Sequence, residues 1–270
     1  MSLVDTNWLE ENLNKVKVID CSWDLPSENR NFQKEFRNEH IPSAIFFDLD
    51  KNSKKDTNLP HMLPSKDVWN KITSNLGISK NDRIIIYDNS NVISSCRCWY
   101  TFIYFGHSPK LVSVLNGGFR KWKKEKKITT KKITKFPKTK YLGTEINNLL
   151  KDKHKIDANI SKNEFVVVDA RSKERFEGKV PDPRKNVRSG SIPNSVCLPF
   201  SKVIDENFCF KSSEHLEKIF EKTLKNHENF PVFSCGSGVT ACVLALAYSL
   251  VKANYLPVIY DGSWAEYGKI

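Results

Sequence analysis

The chain has 270 residues, of which 39% are hydrophobic and 11% aromatic. That is enough apolar surface to offset the entropy of ordering, which excludes wholesale disorder, and the length fits two domains better than one. Its 43 basic and 31 acidic side chains leave a net charge of +12, a field that draws anions of every kind and names no partner.

In chain order, the start at Met1 to Asp5 lacks the basic residues and apolar stretch of a signal peptide. Trp8 to Leu13 has the spacing of an amphipathic helix. Val16 to Asp20 is a short β-branched run ending in aspartate, and Glu39 to Phe47 reads as a turn followed by a strand. Val68 to Leu76 has a helical pattern, and Arg83 to Asp88 is a buried-strand run entering a helix-like segment. Leu115 to Phe119 closes a further strand on a pair of glycines. Lys121 to Lys140 alternates Lys, Thr and Ile with no clean period and reads as a solvated connector. Its lysines lack the interleaved aromatics of a nucleic-acid surface.

The same signals then return in the same order about 150 residues later, the mark of an internal repeat. Phe165 to Asp169 echoes the first strand, Gly190 to Leu198 the second, Asn229 to Cys235 the third and Tyr260 to Trp264 the fourth, with a helical pattern at His215 to Leu224. Short strands alternating with helices predict two α/β domains, each a mostly parallel sheet flanked by helices. The boundaries are set at 1–125 and 156–270, with a linker at 126–155. Ala241 to Val251, the longest apolar stretch, is well short of the ~20 residues that cross a bilayer, so a soluble protein is expected.

Seven cysteines stand at 21, 96, 98, 197, 209, 235 and 242, an odd number without a CxxC pair or a His-rich ligand spacing. They read as reduced thiols of a cytoplasmic protein with no zinc. Cys235 is set apart by its place. Phe230 to Ser234 is a strand, Gly236 and Gly238 let the loop coil tightly, and an apolar helix follows. There the successive N–H groups and the helix dipole favour a thiolate and would hold a negatively charged outer sulfur without a metal. The other six cysteines fit the usual role of a small buried hydrophobe.

Cys235-Gly236-Ser237-Gly238-Val239-Thr240 resembles the active-site loop of the rhodanese superfamily in its 3-mercaptopyruvate sulfurtransferase form. Glu39 to Ala44, Pro60 to Pro64, Asp169-Ala170-Arg171 and Tyr260 to Trp264 support that resemblance over nearly the whole chain, as tandem rhodanese-like domains. The resemblance implies a first domain that has lost its nucleophile, with Asp88 at the position of Cys235, and an active site facing both domains. It also implies a persulfide on Cys235 and no cofactor. Arg175 and Arg184 match the arginines that hold the donor's carboxylate and keto oxygen, and Gly236, Gly238, Val239 and Thr240 of the loop are the other residues expected to bind it. Asp50 and His61 match positions that face the loop and work with its serine, Ser237. Two readings of Asp50 and His61 stand side by side: a proton relay through Ser237, or capping of the turn between Asp48 and Pro64.

The neutral Gly236 and Ser237 favour 3-mercaptopyruvate over doubly charged thiosulfate, whose enzymes in this superfamily carry two cations after the cysteine. Cyanide, a small thiol or a thioredoxin-like protein is the expected acceptor, and no nucleic-acid or membrane partner is expected. A thiosulfate sulfurtransferase and a non-catalytic sulfur-carrier or docking module are the alternatives. A phosphatase of related fold is excluded by its HCx5R pattern, because Ser234 precedes the cysteine and Ala241 stands where the arginine belongs.

Overall fold

The structure is a computed structural model that describes residues 2–252 and 255–270. The chain divides into two compact units: 1–55 with 63–146 and 206–209, and 56–62 with 147–205 and 210–270. Short segments from each half of the sequence thus belong to the unit built mainly from the other half.

Each unit holds a five-stranded, wholly parallel sheet among the described residues. In the first, β1 (Leu3–Val4), β2 (Lys17–Asp20), β3 (Ile45–Phe46), β4 (Ile84–Tyr87) and β5 (Val112–Leu115) lie in the order β1-β5-β4-β2-β3. In the second, β6 (Leu150–Lys151), β7 (Val166–Asp169), β8 (Val196–Cys197), β9 (Pro231–Ser234) and β10 (Ile259–Tyr260) lie in the order β6-β10-β9-β7-β8. The order is the same in both, as the repeat requires. Register repeats too: Asp20 pairs with Tyr87 and Asp169 with Ser234, each at the last residue of its strand.

The central strands are unbroken apolar runs because helices cover both faces of a parallel sheet. Ile84 to Tyr87 and Val166 to Val168 are buried throughout. One core gathers Leu9, Val18, Ile85, Tyr87, Phe119 and Trp122, and its counterpart gathers Ile156, Val167, Val232, Tyr260 and Trp264. Helix Ala241–Val251 is apolar nearly all round because it is enclosed: Ala241 to Ala247 are buried, and it packs on β9 and on helix Ser213–Leu224. No helix among the described residues is long and apolar enough to cross a membrane.

Two sequence expectations need correction. The connector at Lys121 to Lys140 begins inside a helix, Gly118–Lys124, and two of its lysines make ion pairs with residues distant in sequence, Lys123 with Glu39 at 2.5 Å and Lys127 with Glu10 at 2.7 Å. The stretch 126–155 also contains β6, the edge strand of the second sheet. A two-residue strand has no period to detect. It is nonetheless the fifth member of the repeat: Asp5 after β1 and Asp152 after β6 both cap the next helix, accepting from Trp8 N at 2.7 Å and Lys155 N at 2.9 Å.

Candidate active site

Cys235 directly follows β9, at the carboxyl edge of the parallel sheet, where open α/β sheets place ligands. Its residue is 2% exposed. The turn after β10 pins the loop: Trp264 N donates to Cys235 O and Ala265 N to Gly236 O, both at 2.9 Å. Cys235 N donates to Ser263 Oγ at 3.2 Å, and that hydroxyl donates to Tyr260 O at 2.8 Å. Ser263, which falls within the Tyr260 to Trp264 echo but has no role assigned to it in the sequence, is thus a positioning residue. Trp264 does pack, fully buried, with Nε1 donating to Arg188 O at 2.9 Å.

Beyond Cys235, the amides of Gly236, Ser237, Val239 and Thr240 donate to no protein acceptor among the described residues. Unpaired buried amides are costly. A run of them just ahead of the N-terminus of helix Ala241–Val251 has the means to hold an anion. The coil depends on Gly238, whose φ is +77°. Gly238→Ala is expected to destabilise the protein by roughly 1–2 kcal/mol, the cost of a left-handed residue with a Cβ. Urea denaturation measures this, and an unchanged midpoint would contradict it.

Arg175 and Arg184 reach the loop. A Cβ built on Gly236 would stand 3.1 Å from Arg184 Nη2, 3.2 Å from its Nη1 and 3.5 Å from Arg175 Nη2. Glycine at 236 therefore leaves room for two guanidinium groups beside the residue that carries the thiol. Both are held by Asp182, which the sequence reading left without a role: Arg175 Nη2 donates to Oδ2 at 2.7 Å, Arg184 Nη1 to Oδ1 at 3.2 Å and Arg184 N to Oδ1 at 3.0 Å. Burial works against the Asp182 charge, but the Arg175 hydrogen bond, the Arg184 amide and the two positive charges outweigh it and hold the carboxyl below its ordinary range. Arg175 Nε is buried without a hydrogen-bond partner among the described residues.

Arg171 and Arg188 serve the fold. Arg171 is enclosed: 4% exposed, it pairs with Asp169 through Nε and Nη2 at 2.9 and 2.7 Å, and lies 4.5 Å from the Trp264 ring centre. Arg188 lies over the same ring at 4.7 Å.

His61 lies in segment 56–62 of the second unit, and its Nδ1 is 3.0 Å from Ser237 Oγ. That places an imidazole and a hydroxyl in hydrogen-bond contact within the loop. Asp50 belongs to the first unit, in the first turn of helix Leu49–Asn52. Its carboxylate accepts from Trp23 Nε1 at 3.1 Å, while Asp48, not Asp50, caps that helix.

The remaining thiols have other surroundings. Cys21, Cys96, Cys98, Cys209 and Cys242 are buried. Cys242 donates to Gly238 O at 3.1 Å, and burial pushes the Cys21 thiol up. Burial, with Asp169 nearby, raises Cys197 to about 11. In the first unit Asp88 follows β4 as Cys235 follows β9, and Phe119 N donates to Asp88 O at 2.9 Å as Trp264 N does to Cys235 O. The Asp88 carboxylate accepts from the amides of Ser90 at 2.9 Å and Ser95 at 3.0 Å, so this loop is occupied by its own anion. No group of three or more His, Cys, Asp or Glu among the described residues is placed to hold a metal.

Comparison with known proteins agrees on one lineage. A family model described as rhodanese-like domain matches residues 5–125 and 152–269. A protein named thiosulfate/3-mercaptopyruvate sulfurtransferase 1, mitochondrial, from Arabidopsis thaliana is 35% identical over 98% of this chain and 75% of its own length. A protein named 3-mercaptopyruvate sulfurtransferase from Rattus norvegicus is 36% identical over 98% of this chain and 91% of its own. The crystal structure of SseA from Escherichia coli, titled as a 3-mercaptopyruvate sulfotransferase with a "Rhodanese" fold, superposes with a TM-score of 0.87 at 28% identity. It covers 98% of this chain and 99% of that one.

Proposed function

This chain belongs to the rhodanese-like family, and on that footing we propose that it is a sulfurtransferase moving sulfane sulfur from 3-mercaptopyruvate through Cys235 to a thiol or to cyanide. The observation that carries the choice of donor is the pair of guanidinium groups of Arg175 and Arg184 beside a neutral Gly236, joined through one buried carboxylate. A forked guanidinium suits the flat carboxylate and keto oxygen of an α-keto acid.

In the first step the Cys235 thiolate attacks the donor sulfur and the carbon–sulfur bond breaks. The bonding pair leaves with the three-carbon fragment as the enolate of pyruvate, which takes a proton to become pyruvate. Arg175 and Arg184 offset the negative charge gathering on the enolate oxygen. Ser237 and His61 form the relay for protons. The amides of Gly236, Ser237, Val239 and Thr240 with the glycine turn at Gly238 hold the outer sulfur of the persulfide. In the second step an acceptor thiolate or cyanide attacks that sulfur and the Cys235 thiolate is released.

The reading assigns residues 1–125 to a domain without a nucleophile and 156–270 to the catalytic domain. It places the protein in the reducing cytoplasm, in keeping with seven free cysteines. A small thiol or a thioredoxin-like protein serves as acceptor in this reading, with no nucleic-acid or membrane partner.

Brief exposure to 3-mercaptopyruvate is expected to add one sulfur, about 32 Da, at Cys235 by this covalent route. Intact-mass spectrometry with peptide mapping reads it, and a chain that gains nothing overturns the proposal in favour of a docking module. The kcat/KM with 3-mercaptopyruvate is expected to exceed that with thiosulfate by more than tenfold, about 1.4 kcal/mol in transition-state binding. Equal values would assign the chain to thiosulfate.

A further inference from the structure

The two halves treat the aspartate at the end of their second strand differently. In the second unit Asp169 is met by the side chain two residues on: Arg171 gives it two N–H groups, gives a third contact to Gly190 O at 2.8 Å, and stacks on Trp264. In the first unit Asp20 holds the same register position, Phe119 stands where Trp264 does, and Glu39 corresponds to Gly190 in the repeat. The residue two on is Ser22. Its amide and hydroxyl both donate to Oδ1 of Asp20, at 2.9 and 2.5 Å, and no guanidinium among the described residues is hydrogen-bonded to Oδ2.

Where the arginine would lie there is a cavity of about 220 Å³, bordered by Asp20, Ser22, Phe36, Glu39, Asn89 and Phe119. An apolar cavity of ~150 Å³ holds a benzene molecule, so this one has room for a planar ion of similar size. Asp20 is 5% exposed. Burial raises its carboxyl to about 6 against the opposing hydrogen bonds of Ser22 and Tyr87, and the neighbouring Asp88 charge adds to the rise. The other charged groups on the cavity wall are already matched: Glu35 holds Arg30 at 2.6 and 3.0 Å, and Glu39 holds the half-exposed Lys123 at 2.5 Å. Asp20 has no cationic partner among the described residues.

We propose that this cavity binds a guanidinium-type cation, with Asp20 and Phe119 giving it the paired acceptor and the ring face that Asp169 and Trp264 give Arg171. The recognition is planar and two-toothed, so it discriminates against a compact ammonium. It requires nothing of the chemistry at Cys235.

Titration calorimetry of the full chain with methylguanidinium is expected to show saturable binding in the millimolar range or tighter, and methylammonium to bind at least about tenfold more weakly. Ser22→Arg, which restores the internal arginine, is expected to abolish binding and raise the melting temperature. Asp20→Asn is expected to weaken binding at least about tenfold, and keeps the test valid should Ser22→Arg fail to fold. A peptide with one arginine among glycines is the second arm. Binding about tenfold tighter than methylguanidinium assigns the cavity to a partner's arginine, and equal or weaker binding assigns it to a free small cation. The proposal is overturned if methylguanidinium shows no saturation up to tens of millimolar, if methylammonium equals it, or if either variant binds as the wild type does.

Discussion

Cys235→Ser is expected to lower kcat with 3-mercaptopyruvate by at least about 10⁴-fold, the scale on which removal of a nucleophile acts, with the fold intact. The expectation rests on selectivity among seven thiols. Cys197 is held neutral at about 11 and the Cys21 thiol is pushed up by burial, while Cys242 is turned onto Gly238 O within the helix. None of these stands at the head of a glycine-rich loop with unpaired amides. Serine differs little in volume from cysteine, and the backbone partners of residue 235, Trp264 N and Ser263 Oγ, do not depend on its side chain. The cost to stability should therefore be limited to burying one hydroxyl, about 1–3 kcal/mol. Steady-state pyruvate release together with a melting curve checks both parts. Retention of more than a few per cent of the activity would move the nucleophile elsewhere.

The second large effect lies in the clamp of Arg175, Asp182 and Arg184. Arg175→Ala and Arg184→Ala each remove charge-assisted hydrogen bonds to an anionic donor, worth about 1.5–3 kcal/mol, and each is expected to lower kcat/KM about 10- to 100-fold. The double variant is expected to lose more than either single one. Asp182→Asn keeps both arginines but removes the charge that holds them. It should raise KM more than it lowers kcat, with a fall in kcat/KM of about tenfold or more.

Its stability effect has a defined sign. A carboxyl whose folded pKa is depressed stabilises the fold above its unfolded value, and that contribution disappears as pH falls through the folded value. The melting-temperature gap between wild type and Asp182→Asn should therefore be full near neutral pH and close in acid. A gap that is constant across that range, or a variant with wild-type KM, would remove Asp182 from donor binding.

The repeat was the most legible property of the chain. Val16 to Asp20 and Phe165 to Asp169 are dense in β-branched residues and end on the same side chain, so β2 and β7 stand out, as do β4 and β9. Their burial on both faces leaves an unbroken apolar signal. β1 and β6 are two residues long and carry no period, which is why their shared aspartate caps pass unnoticed until the sheets are seen. Cys235 was legible because two glycines flank it closely on one side of a buried strand.

Asp182 was not legible, because its role is set by the folding back of two arginines, a tertiary event without a local pattern. The same holds for Ser263, which reaches Cys235 N across 28 positions of sequence. Arg171 invites a surface reading by its charge, and only the Trp264 ring against its guanidinium and the ion pair with Asp169 show why it is enclosed.

The first unit's Asp88 has a bearing on how the halves behave through a catalytic cycle. A covalently attached carboxylate keeps two amides engaged at all times, whereas the amides of Gly236, Ser237, Val239 and Thr240 have no such counterpart among the described residues. One half is therefore permanently satisfied and the other alternates between hungry and fed. Deuterium uptake by the backbone at 90–95 should be indifferent to sulfur loading, and uptake at 236–240 should slow on loading, so the inactive copy supplies an internal standard for watching the active one.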